Sequence, residues 1–132
     1  MTTPLWCLFV TVLLPFVWAG FAGKTRKEQF GVLDNHTPRA QQAKVEGRAA
    51  LAHGAHMNSF EALGYFAPAV LVAHVTHANA SYAALLAVAF VAFRLLHGAL
   101  YLADVPIART TCFALGLACS IGLFGLAAMA GA

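Results

Sequence analysis

The chain has 132 residues, 61% of them hydrophobic and 10% charged, with a formal net charge of +3 and a mean hydropathy of +0.74. Soluble domains carry about 25% charged residues, so this composition excludes an ordinary water-soluble globule and points to the bilayer as solvent. Six of the eight Lys and Arg fall between Lys24 and Arg48, beside apolar runs, so the basic charge reads as a topology signal and not as a nucleic-acid surface.

The first apolar segment covers 5–22. At about 18 residues it just spans a hydrocarbon core of about 30 Å, with Pro15 inside it. No Lys or Arg precedes it, while Lys24, Arg26 and Lys27 follow at once. Signal peptides have the opposite order, so a retained helix with its N-terminus outside is expected. A polar, basic loop follows over 23–47. Asn35, Thr37 and Pro38 give it turn chemistry, and Pro38 is placed to start a short helix.

The second segment covers 57–77, with its helix expected to begin earlier, in the aqueous phase. Pro68 interrupts it, which membrane helices tolerate when neighbours satisfy the freed carbonyl. Asn79, Ala80 and Ser81 make a turn. The third segment covers 82–103, Asp104 to Pro106 make a second turn, and the fourth covers 107–130. Gly116 with Ser120, and Ala118 with Gly122, are small pairs that let helix backbones approach closely. The whole, 1–132, reads as one all-α membrane domain of four transmembrane helices. The positive-inside rule puts the basic loop and the Asp104 turn in the cytoplasm, and both termini outside.

Cys7, Cys112 and Cys119 all lie in apolar runs without CxxC spacing and read as buried free thiols. His53 with His56, and His74 with His77, are i, i+3 pairs. Without further ligands of matching type they predict no metal site.

Ionisable residues inside membrane helices are costly and point to function by default. Asn58 and Glu61 share a helix face, extended by Gly54 and Tyr65. Arg94, His97 and Tyr101 form a second stripe, and Arg109 opens the fourth segment. Two explanations remain open on these residues alone. Glu61 and Arg94 cancel each other as a buried pair, or the stripes line a pocket for an anionic, hydrogen-bonding ligand.

The stretches NHTPRA at 35–40, AHMNSFEAL at 55–63 and RLLHGALYLADVP at 94–106, with Arg109 shortly after, resemble the membrane-associated proteins of eicosanoid and glutathione metabolism, the MAPEG family, in a bacterial-type member. The resemblance implies a four-helix membrane bundle assembled as a homotrimer, with sites between subunits that open to the cytoplasm. It implies glutathione as co-substrate, acting on a lipophilic small molecule that enters from the bilayer of a bacterial inner membrane. Asn58, Glu61, Arg94, His97, Tyr101 and Arg48 then line or brace the glutathione site, and Arg109 stabilises the thiolate as the catalytic residue. Leu51, Gly54 and Met57 stand where catalytic relatives usually carry arginines. Two functions are therefore expected of such a chain: a glutathione transferase or peroxidase, or a non-catalytic protein of the same fold that binds another ligand or partner.

Overall fold

The computed structural model describes residues 1–130 and is all-helical there. Four long helices, α1 (Thr3–Phe30), α3 (Gly47–Val75), α4 (Ala80–Leu102) and α5 (Pro106–Ala130), pack on one another, and the short α2 (Pro38–Gln42) lies in the connection between α1 and α3. Three of them, α1, α4 and α5, are long and apolar enough to cross a membrane. α3 is longer than α4 and α5 but more polar, because it carries His53, His56, Asn58 and Glu61.

Two helices outrun their apolar segments. α1 continues through Lys24, Arg26 and Lys27 to Phe30, and α3 starts ten residues before Met57. Helix needs only backbone hydrogen bonds and acceptable side chains, so it does not stop where the apolar segment does. α1 ends at Gly31, whose φ of 77° suits the left-handed cap position. Asn79 caps α4 by accepting from the backbone N–H groups of Ser81 and Tyr82, at 3.1 and 3.2 Å.

The core is built from small residues around two rings. Phe66 and Phe90 stack with centroids 3.7 Å apart and are fully buried. Ala62, Ala69, Ala73, Ala83 and Ala87 surround them, together with Cys7, Cys119 and Leu123. All three cysteines are free and buried. Gly122 lets Leu86 approach α5, where a Cβ would stand 3.0 Å from Leu86 Cδ1, and Gly116 packs against Phe90 and the stem of Arg94. Large apolar side chains such as Phe9, Leu13, Leu85, Val88, Ile121 and Phe124 point outward, as a lipid-facing surface requires.

Pro15 lacks an N–H, which leaves the carbonyl one turn earlier without its helical partner. Its own carbonyl accepts from His56 Nδ1 at 2.8 Å, tying α1 to α3. This fixes the His56 proton on Nδ1.

The loop between α1 and α3 is folded around Asp34. Its carboxylate accepts from the Thr37 hydroxyl at 2.6 Å and from the backbone N–H groups of Thr37 and His36 at 3.0 and 2.8 Å. These bonds, the Thr37 hydroxyl first, hold the Asp34 carboxyl below its ordinary range. A lowered folded pKa contributes stability above the unfolded value, about 4, that is lost as pH falls through the folded one. Amide-exchange protection at His36 and Thr37 should therefore fall below about pH 4. Asp34→Ala should remove that protection at every pH. Protection unchanged by acid would show that the loop is held by other contacts.

Candidate functional site

The tight turns after α3 and α4 make α3, α4 and α5 successive antiparallel neighbours. Asn58 of α3 is thereby brought to Arg94 of α4, and Gly54, one turn earlier, to Tyr101, two turns later. Arg94 is 2% exposed and His97 3%. Arg94 Nη2 donates to Asn58 Oδ1 at 2.6 Å and to the Asn58 carbonyl at 3.3 Å. It also lies 3.3 Å from His97 Nδ1. A guanidinium only donates, so that His97 nitrogen accepts and Nε2 carries the proton. Asn58 Nδ2 donates to Glu61 Oε2 at 2.7 Å.

Glu61 and Arg94 do not pair directly. Among the described residues the one ion pair is the exposed Lys24–Glu28 contact. Asn58 stands between the two charges, its carbonyl oxygen to the guanidinium and its NH2 to the carboxylate. The buried-pair expectation is corrected on that point, because the Asn58 amide occupies the bridging position. Arg94 Nη1 and the Tyr65 hydroxyl are buried without a hydrogen-bond partner. Glu61 is exposed at the surface of the bundle.

The second stripe continues toward the loop end. His97 packs edge-on to Tyr101, centroids 5.3 Å apart, and Phe113 lies on its other side at 6.4 Å. The Arg109 guanidinium sits over the Tyr101 ring, 4.1 Å from its centroid. The opposite flank of Tyr101 rests on α3, where a Cβ at Gly54 would stand 2.7 Å from Cε1. Arg109, Tyr101 and the bare backbone at Gly54 thus form one stack.

Six of the seven sequence-predicted residues belong to this connected set: Asn58, Glu61, Arg94, His97, Tyr101 and Arg109. Arg48 does not. It is exposed in the first turn of α3, lining a shallow cavity with Thr25, Glu28, Gln29 and Glu46. A regular helix carries it too far from Asn58, about 15 Å along the axis, to share the cluster. Gly116 is the participant that sequence reasoning gave only a packing role. It packs beside the arginine stem: a Cβ there would lie 3.6 Å from Arg94 Cδ, an ordinary van der Waals contact that an alanine would also make. Its place in a small-xxx-small pair was the available signal.

Chemically, the set offers a buried cation with spare donor capacity, a carboxylate at the rim, an imidazole N–H and a second cation over a ring. It suits a zwitterionic or anionic ligand. No three His, Cys, Asp or Glu side chains converge on a metal position among the described residues.

A family profile described as "MAPEG family" matches residues 3–129, nearly the whole chain. No curated protein and no solved structure matches it.

Proposed function

Because the chain belongs to the MAPEG family, we propose that it binds glutathione and applies it to lipophilic electrophiles or peroxides. Glutathione would supply two carboxylates, an amine and a nucleophilic thiol. Arg94 carries the reading. A guanidinium buried in low dielectric is costly unless paired, and here Asn58 relays it to Glu61 while Nη1 stays unpartnered. An anionic group of the ligand would meet that demand. Glu61 at the rim suits an ammonium, and His97 Nε2–H is a further donor. Arg109, seated over the Tyr101 ring, would meet the sulfur with its guanidinium, where a cation favours the thiolate.

The same reading takes α3 as the fourth span and the assembly as a homotrimer. Glu61, Gly64, Pro68, Leu71 and Val75 are all exposed and follow 3-4-3-4 spacing, the period of a helix–helix seam. Lipid would penalise the Glu61 carboxylate on that face, whereas another copy of the chain covers it. The basic loop then lies on the cytoplasmic side of a bacterial inner membrane and both termini outside, with the lipophilic substrate arriving through the bilayer.

Purified protein should bind glutathione at millimolar concentration and lower its thiol pKa, read by thiolate absorbance in the ultraviolet. Arg109→Ala should raise that pKa by about 1–3 units, the size of a nearby-cation effect. Absence of binding at millimolar glutathione sinks the proposal.

A second reading, a non-catalytic member that binds another ligand or partner, is favoured by one contact. Tyr101 fills the space beside Gly54, where the resemblance expects an arginine. Under it, Arg109→Ala leaves cellular function intact.

A further inference from the structure

On the other side of α3 from Asn58, a cavity of about 880 Å³ opens between α2 and α3. His56 and Phe60 lie two residues either side of Asn58, about 160° away round the helix, so this cavity is separate from the Arg94 cluster. Arg39, Gln42, His53 and His56 line its polar part, and Val45, Ala50, Met57 and Phe60 its apolar part. No carboxylate lines it.

The polar part is basic and preformed. Arg26 braces α2 from behind, its Nη1 3.5 Å from the Pro38 carbonyl. His53 Nδ1 is buried and has no partner. Arg39 shares the cavity, which argues against a divalent cation on the two imidazoles, since like charges repel.

The apolar part continues into the lipid-facing surface. Phe60 packs edge-on to His56, centroids 5.2 Å apart, and to Phe16 of α1 at 6.3 Å. Met57, Phe60 and Phe16 are 46%, 43% and 64% exposed. The cavity therefore has a cationic mouth at the level of the basic loop and an aromatic track running down the bundle from where the apolar stretch of α3 begins. A water-borne anion would use the mouth and leave the track bare.

We propose that this cavity binds one anionic membrane phospholipid, its phosphodiester held by Arg39, Gln42 and His53 and its chains lying over Met57, Phe60 and Phe16. Arg39 presents a donor fork that matches phosphate oxygens. The Gln42 amide can donate to a further oxygen or to a headgroup hydroxyl, and the unpartnered His53 nitrogen completes the set.

The test uses the full chain purified from nanodiscs of phosphatidylcholine with rising fractions of phosphatidylglycerol, with retained lipid counted by native mass spectrometry. Phosphatidylglycerol should be retained at one per chain, in preference to phosphatidylcholine. Arg39→Gln, His53→Ala and Phe60→Ser should each lower its occupancy about tenfold, the effect of one charge-assisted contact or one buried ring. Lys27→Gln, an exposed basic residue outside the cavity, should leave it unchanged. Circular dichroism and oligomer size show that each variant is folded, and a variant that is not is replaced by Gln42→Ala. Equal retention of phosphatidylcholine overturns the proposal, as does a Lys27→Gln effect matching Arg39→Gln, which would mean diffuse attraction to the basic loop. Displacement by oleate, or by inorganic phosphate alone, at concentrations comparable to the phospholipid also overturns it, because the occupant would then be a free anion. None of these readouts involves glutathione, so the outcome is independent of the Arg94 site.

Discussion

Gly98→Ala should be among the most destabilising single-atom additions this bundle can receive. A Cβ at position 98 would stand 2.8 Å from Trp18 Cη2 and closer still to Cζ2 and Cε2. Real Cβ atoms do not approach that closely, so α1 and α4 must part or the indole must turn. The ring cannot turn freely. Trp18 is 7% exposed and packed with Leu14 and Ala55. Its Nε1 has no hydrogen-bond partner, so packing alone holds it. Overpacking of this kind costs about 1–3 kcal/mol in soluble cores, and a rigid ring between two helices belongs at the upper end. The measurement is the thermal midpoint in detergent. Trp18→Leu in the Gly98→Ala background should restore part of the loss, because the smaller side chain vacates the volume the methyl needs. A Gly98→Ala protein as stable as the parent would mean that the α1–α4 approach is looser than the geometry requires.

That contact also marks where the sequence stops being readable. The apolar segments and their turns were legible because hydropathy and turn chemistry act locally: Asn79 caps α4, Pro38 starts α2, and Asp104 sits between α4 and α5. The grouping of Asn58 and Glu61, and of Arg94, His97 and Tyr101, was legible because helical period puts them on single faces. Pairing across helices was not. Nothing in a one-dimensional pattern says that Gly98 faces Trp18, or that the Asn58 amide, rather than the Glu61 carboxylate, meets Arg94. Helix ends were misjudged for a related reason. α1 runs eight residues past its apolar segment because Lys, Arg, Glu and Gln all favour helix, and hydropathy does not record that preference. Arg48 joins the site only through the resemblance, and along a regular helix it stands about 15 Å from Asn58.

The same arrangement sets opposite expectations for the two ends of the Arg94–Asn58 bond. Arg94→Met replaces a buried charge with an apolar chain of similar length, in the channel that Gly116 and Phe90 already provide for the arginine stem. Replacing a buried charge together with its partner is often neutral or stabilising by about 1–4 kcal/mol; here the partner is a neutral amide whose oxygen loses its donor at a cost of about 1–3 kcal/mol, so the two effects roughly cancel. Asn58→Leu does the reverse. It takes away the 2.6 Å side-chain acceptor, leaving Arg94 with the longer contacts to the backbone carbonyl of position 58 and to His97, and it removes the amide from Glu61. Removing one partner of a buried charge costs about 3–5 kcal/mol. Stability should therefore change little in Arg94→Met and fall steeply in Asn58→Leu, as read by thermal or denaturant unfolding in detergent. Glutathione affinity should drop in both, by roughly tenfold to a hundredfold for loss of a charged contact worth about 1.5–3 kcal/mol. The divergence between stability and binding in Arg94→Met is the decisive signature, since a cation kept for a ligand is dispensable to the fold that holds it. If Arg94→Met unfolds as readily as Asn58→Leu, the guanidinium is a strut between α3 and α4, and the glutathione reading loses the observation that carries it.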